Sequence, residues 1–213
     1  VPHLTVASLS FRANADFQTT DFVISGNETL GVGQLIEVTA GTDQEVNISC
    51  GLRLAGNATL HVDYFADDSR LQVVGPVNHN GHDLLLNGET DNSIEVSGVI
   101  SGSGNLRIIP GSSVKLRGDH PNTFSGEVRL ETRSESGFIV GTELILDKQN
   151  GPAVPGPLLI GANCTAKLDQ AHQISDGATV KISPGGQLRL QGHTDTIGSL
   201  SLAGGPTGEE TKQ

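Results

Sequence analysis

Apolar and polar residues alternate in short bursts along most of the chain. LHVDYF at 60–65, LQVV at 71–74, DLLL at 83–86, SIEV at 93–96, NLRII at 105–109 and SVKLR at 113–117 open the series. EVRLE at 127–131, ELILD at 143–147, PLLI at 157–160, TVKIS at 179–183, QLRL at 187–190 and SLSL at 199–202 continue it. A period of two sends every second side chain to one face, which is the signature of a half-buried strand. Gly, Asn, Asp or Pro-Gly separates the bursts. No stretch sustains a 3.6-residue apolar period, so almost no helix is expected.

One long segment repeats without a gap. Ile100–Gly118 reads ISGSGNLRIIPGSSVKLRG, and Ile174–Gly192 reads ISDGATVKISPGGQLRLQG, with the same offset from first residue to last. A shortened third copy, VNISCGLRLAG from Val46, aligns with Val180–Gly192 if two residues are missing before Leu52. Repetition of this kind marks a stacked architecture, each copy burying its apolar face on its neighbours. A sandwich has no reason to repeat at so long an offset, and hairpin signals are scarce, Asn80-Gly81 and Asn87-Gly88 being the main ones. The expected fold is therefore all-β, a right-handed parallel β-helix. At roughly 18 to 25 residues per coil it would have about nine coils. Strands about 4.8 Å apart would then give a rod on the order of 40 to 45 Å long, in which the repeat offset spans three or four coils.

Within that rod Leu106, Ile108, Val114, Leu116, Val180, Ile182, Leu188 and Leu190 are expected to point inward, with Gly118 and Gly192 at turns. Residues 1–45 are less regular and hold Phe11, Phe17 and Phe22, which suits a cap over an exposed sheet edge. Residues 46–203 form the repeat region. Residues 204–213, GGPTGEETKQ, have no apolar content and read as a tail or linker.

Composition and a few local features adjust the picture. Only 3% of residues are aromatic, with no Trp and no Met, which suits a narrow core filled by Val, Ile and Leu. The net charge of -11 argues against a nucleic-acid backbone or an anionic membrane as partner. No apolar run approaches the roughly 20 residues of a membrane helix. Cys50 and Cys164 lack any zinc-like spacing and read as small core residues, a disulfide between them being the alternative. The chain opens Val-Pro-His without an initiator Met or a signal-peptide pattern, so a processed product or a piece of a longer protein is expected.

Residues 80–131, NGHDLLLNGETDNSIEVSGVISGSGNLRIIPGSSVKLRGDHPNTFSGEVRLE, resemble the autotransporter-associated β-strand repeat of large bacterial surface and secreted proteins. That repeat runs I-x-G-x-G-x-L, then L-x-L-x-G, then an Asn- and Thr-rich turn ending in Gly. Here Ile100–Leu106, Val114–Gly118 and Pro121–Gly126 stand in those places. LRLQGHTDTIGSLSLAG within Ile174–Gly204 is similar to the family's recurring L-x-L-x-G-x-x-D-T-I-G-S-L. The likeness runs from near Val46 onward with gaps. Pro110-Gly111-Ser112-Ser113 replaces the usual Gly-x-Gly-Thr, and the first 45 residues match poorly. The resemblance implies a passenger-like, structural segment at the bacterial cell surface or outside the cell.

Two groups of residues carry candidate chemistry. His79-Asn80-Gly81-His82-Asp83 would hold a divalent metal only if the turn folded back on itself; the competing reading is a solvated turn into a strand. Asp63, Asp67 and Asp68, with Arg70 nearby, are the acidic cluster that a polysaccharide-active β-helix enzyme would need converged on one face. Nucleophile elbow, P-loop and dinucleotide fingerprints are absent. Sequons start at Asn27, Asn47, Asn57 and Asn163, and Asn47 falls in an expected strand. No residue is assigned a catalytic, metal or cofactor role. The expected function is a non-enzymatic stalk, display scaffold or adhesin, with a polysaccharide lyase or hydrolase, or a glycan-binding module, as alternatives. Expected partners are a protein or glycan of a host or neighbouring cell, or further copies packed end to end or side by side. Nucleic acid and membrane insertion are not expected.

Overall fold

A computed structural model describes residues 4–12, 21–39, 45–63, 69–88, 93–109, 111, 113–135 and 138–204. Those residues form strands and turns only. The N-terminal strand β1 (Thr5–Arg12) lies beside the first coil, made of β2 (Phe22–Ile24) and the long β3 (Thr29–Thr39). The second coil is β4 (Glu45–Ile48), β5 (Gly51–Leu54) and β6 (Ala58–Val62). The third is β7 (Arg70–Val73), β8 (Val77–Asn78) and β9 (Leu84–Gly88). The fourth is β10 (Ser93–Val96), β11 (Ile100–Ser101) and β12 (Leu106–Ile108). Then come β13 (Ser113–Gly118) and β14 (Val128–Leu130), the short pair β15 (Arg133–Glu135) and β16 (Phe138–Val140), and β17 (Glu143–Lys148) with β18 (Leu158–Ile160). The last two coils are β19 (Thr165–Leu168) with β20 (Thr179–Ile182), and β21 (Gln187–Arg189) with β22 (Ser199–Leu202).

Strands of successive coils pair in parallel, so the expected parallel β-helix is the fold. Face one stacks β2, β4, β7, β10, β13, β17, β19 and β21. Face two stacks the first half of β3 on β5, β8 and β11, and is carried further by a bridge between Val154 and Ile174. Face three stacks the second half of β3 on β6, β9, β12, β14, β18, β20 and β22. The eight strands of face one make about seven turns, or a stack ~34 Å long at ~4.8 Å per step.

That is fewer than nine because the stacked strands of face one run only from Phe22 to Arg189, and because one coil exceeds the length the sequence reading assumed. Ile94 pairs with Val114, and Val114 in turn pairs with Leu144, so the second of these coils is half as long again as the first. Its extra length carries the β15–β16 hairpin, an antiparallel pair that joins neither large sheet. The next two steps, Leu144 to Ala166 and Ala166 to Leu188, are shorter and equal to each other. Val114 and Leu188 hold the same position in the two copies of the long repeat, so the repeat spans three coils. The shortened third copy is not equivalent to the others. Val46 lies on face one, while Val180 lies on face three.

Inward positions form columns. Ile48, Val73, Val96, Leu116, Leu146 and Leu168 stack along face one, all fully buried. Leu106, Ile108, Val114, Leu116 and Val180 point into the core as expected. Ile182 and Leu188 are only partly buried, and Leu190 is 46% exposed, against expectation. Leu188 and Leu190 belong to the last coil described, on which no further described coil stacks, and Ile182 lies one coil earlier, beside exposed Leu202. Leu200 and Leu202 are exposed for the same reason, at 54% and 68%. At the other end Phe11 packs on Phe22, with ring centres 5.4 Å apart. Phe17 lies outside the described residues.

The corners require close approach of backbone to backbone. A Cβ on Gly98 would run into the carbonyl oxygen of Gly75, and one on Gly126 into that of Gly104. Glycine is needed there because the coil below occupies the space a side chain would fill.

Candidate functional site

Polar residues at the entry to face three are bonded from coil to coil. Asn57 Oδ1 accepts the Asp83 N–H at 3.0 Å, and Asp83 Oδ1 accepts the Asn105 N–H at 2.9 Å. Asp83 Oδ1 also accepts from Asn105 Nδ2 at 3.0 Å, and Asn105 Oδ1 accepts the Glu127 N–H at 3.0 Å. Each side chain thus takes the first backbone donor of the next coil, which the turn would otherwise leave without a partner. The sequence reading missed this ladder. Its signal was an Asn or Asp immediately before an apolar burst, at Asn57-Ala58, Asp83-Leu84 and Asn105-Leu106.

A second polar column fills the corner ahead of face two. Buried Asn122 accepts the Ile100 N–H at 2.9 Å and donates to the Ala153 carbonyl at 2.8 Å. Buried Gln173 accepts the Lys148 N–H and donates to the Lys148 carbonyl, both at 2.8 Å. Asp195 Oδ2 caps the column by accepting the N–H groups of Gln173 and Ile174, at 2.7 and 3.1 Å. Beside it Lys148 runs inward, its Nζ donating to the carbonyls of Gly98 at 3.0 Å and Ser97 at 3.3 Å. Burial lowers its pKa to about 8, with the charge of Asp119 acting in the opposite direction.

The side chains of the turn at 79–83 are not gathered into a group of three potential metal ligands. His79 is fully buried and stacks on Phe124, ring centres 5.4 Å apart and planes 25° from parallel. Neither of its ring nitrogens has a hydrogen-bond partner of good geometry among the described residues. Burial holds its pKa below the usual histidine value. The Gly104 backbone and Asp83 favour the charged ring electrostatically, but burial outweighs them. Asp83 is committed to Asn105, and the His82 N–H donates to the His79 carbonyl at 2.9 Å. The alternative of a wholly solvated turn fails at His79, which fills core space beside Phe124. No three potential ligands cluster among the described residues.

The acidic cluster is only partly described. Asp63 follows β6, half-buried, with its N–H bonded to the Val38 carbonyl at 2.9 Å, and exposed Arg70 opens β7. Asp67 and Asp68 lie outside the described residues. Cys50 and Cys164 are free and buried, one in the second coil and the other just ahead of β19. Cys164 Sγ donates to the Glu131 carbonyl at 3.1 Å, and burial pushes its thiol pKa up. On the outside of face one, Lys115 lies 2.8 Å from Asp147 and 3.8 Å from Asp169, and Arg117 lies 3.2 Å from Glu95. These partly exposed surface pairs contribute little each.

No family model matches the chain, and no solved structure matches it. Over 155 residues it is 24% identical to the U4/U6 small nuclear ribonucleoprotein Prp31 of Mus musculus and of Homo sapiens, a match covering 67% of this chain and 30% of each relative. The Xenopus tropicalis protein of the same description is 24% identical over 141 residues, covering 64% of this chain and 27% of the relative. The chain therefore spans less than a third of the length of these curated relatives.

Proposed function

We propose that this chain is a non-enzymatic scaffold, a rigid segment of a secreted or cell-surface bacterial protein that holds loops such as the β15–β16 hairpin away from its anchor. The observation that carries this reading is the commitment of its internal polar groups. Asp83, Asn105, Asn122 and Gln173 all spend their side chains joining one coil to the next. A hydrolase or lyase would instead hold carboxylates free and converged beside a groove. The likeness of residues 80–131 and 174–204 to the autotransporter-associated repeat supports a passenger-like setting. A place in a ribonucleoprotein, which the name of the curated relatives would suggest, is disfavoured by a net charge of -11, since a phosphate backbone repels such a chain.

The test joins chemistry to rigidity. The chain is incubated with acidic and neutral polysaccharides, with and without calcium, and new reducing or unsaturated ends are measured. In parallel it is exposed to a nonspecific protease under native conditions. The scaffold reading expects no new ends and early cuts confined to the termini and the 131–142 insertion. Cleavage of a polysaccharide, or early proteolysis within the 93–130 coils, overturns it.

A further inference from the structure

Along the outside of face three, register lines up Arg107, Arg129, Leu159, Lys181 and Ser201 on consecutive coils. From Arg129 onward this row lines an open groove of about 540 Å³. Glu131 and Ser183 form its other side, in the next outward-facing row. Between them the floor is kept low by Gly161, where a Cβ would lie 2.6 Å from the Leu130 carbonyl oxygen.

The charges in the groove are not balanced. Glu131 is clamped by Arg107 through two bonds of 2.7 and 3.0 Å. Arg129 shares Glu127 at 2.8 Å and keeps further N–H donors on its guanidinium. Lys181 is exposed and forms no ion pair with any described residue. Of the charged residues that line the groove itself, two cations, Arg129 and Lys181, meet one carboxylate, Glu131, in a chain whose overall charge is -11. At physiological salt the Debye length is about 8 Å, so the local excess governs what docks here more than the distant acidic groups do.

We propose that this groove binds an acidic polysaccharide laid along the rod axis. Arg129 and Lys181 take carboxylates two coil steps apart, or about 10 Å, while Ser183 and Ser201 meet ring hydroxyls across the half-buried Leu159. A sugar chain suits this floor better than an acidic peptide does. The backbone groups of β18 and β20 are already paired on both sides. An extended peptide would therefore leave its own N–H and C=O groups unmatched, whereas side-chain cations and hydroxyls satisfy a polyhydroxylated acid. The inference goes beyond the scaffold reading and fails separately from it: cleavage sinks that reading, absence of retention sinks this one.

The experiment is calorimetric titration of the whole chain with polygalacturonate, dextran and poly-glutamate at low and physiological salt. Wild type is expected to bind polygalacturonate, more weakly as salt rises, and to ignore dextran. Lys181→Gln should weaken binding about tenfold and flatten the salt dependence, and Arg129→Gln should act likewise. Lys115→Gln, on face one, should bind as wild type does. Both groove residues are exposed, so unchanged urea midpoints will show that the variants remain folded. Silence from wild type, undiminished binding by the Arg129→Gln/Lys181→Gln double variant, or equal binding of poly-glutamate overturns the proposal.

Discussion

Asn105 is where the coil-to-coil ladder can be tested most directly. Its Nδ2 donates to Asp83 and its Oδ1 accepts the Glu127 N–H, each at 3.0 Å, so Asn105→Ala removes two bonds joining three coils. A net intramolecular hydrogen bond contributes about 1 kcal/mol. The bond to the Asp83 carboxylate is charge-assisted, but Asn105 is only half-buried, so about 1 kcal/mol is appropriate there too. The expected loss is about 2 kcal/mol. With a urea slope near ~2.5 kcal/mol/M, the unfolding midpoint falls by about 0.8 M at unchanged slope. Asn150→Ala is the control. Its exposed side chain makes a single bond, 2.8 Å to the Asp119 carbonyl, and its loss should cost under about 0.5 kcal/mol. Asn105→Asp should lose at least as much as Asn105→Ala, since it sets a second carboxylate against Asp83. If Asn105→Ala unfolds at the wild-type midpoint, water replaces the ladder without penalty, and the case for polar groups as structural rungs falls.

Other substitutions separate buried from open positions. Leu116→Ala, at a fully buried site, should cost about 2–5 kcal/mol, while Leu190→Ala, at a site 46% exposed, should cost under about 1 kcal/mol; equal midpoint shifts would contradict the column packing. Gly98→Ala must push against the Gly75 carbonyl and should cost at least about 2 kcal/mol, whereas Gly177→Ala meets nothing within 4 Å and should be neutral in thermal melts. Lys148 has a folded pKa of about 8, below its ordinary 10.5. Between those values the unfolded chain binds the proton that the folded chain has released, so stability rises with pH across that window. Urea midpoints of wild type should climb from pH 8 to 10 relative to Lys148→Met, and parallel profiles would refute the buried amine.

The sequence made the alternation legible, because a strand buried on one face must alternate. Leu106, Ile108, Val114 and Leu116 could therefore be assigned inward without knowing their neighbours. The constant offset between the two long copies was equally plain, since stacking preserves register. Coil number was not legible. A coil may lengthen by a hairpin without disturbing its apolar pattern, and the segment 131–142 does so. Nor does pattern reveal where the described stack stops, so Leu190 looked identical to Leu116 although it is 46% exposed, with no further described coil upon it. The short copy at Val46 misled for a related reason. Two residues separate β4 from β5, while four separate β20 from β21, and similar strings turn different corners. His79 looked like a ligand because residue type alone does not show that a ring lies on Phe124 inside the stack.

The spacing of partner strands has a consequence for how the chain comes to be folded. Each strand of face one pairs with the strand a single coil further along the chain and with none more distant. Although the protein is all-β, its contacts are therefore as local, relative to its length, as those of many helical bundles, and fast-folding chains share that property. The edge of each completed coil presents a row of open backbone groups to the next. A chain delivered from one end can then wind itself up in order, every finished coil templating the one that follows, without waiting for its far terminus.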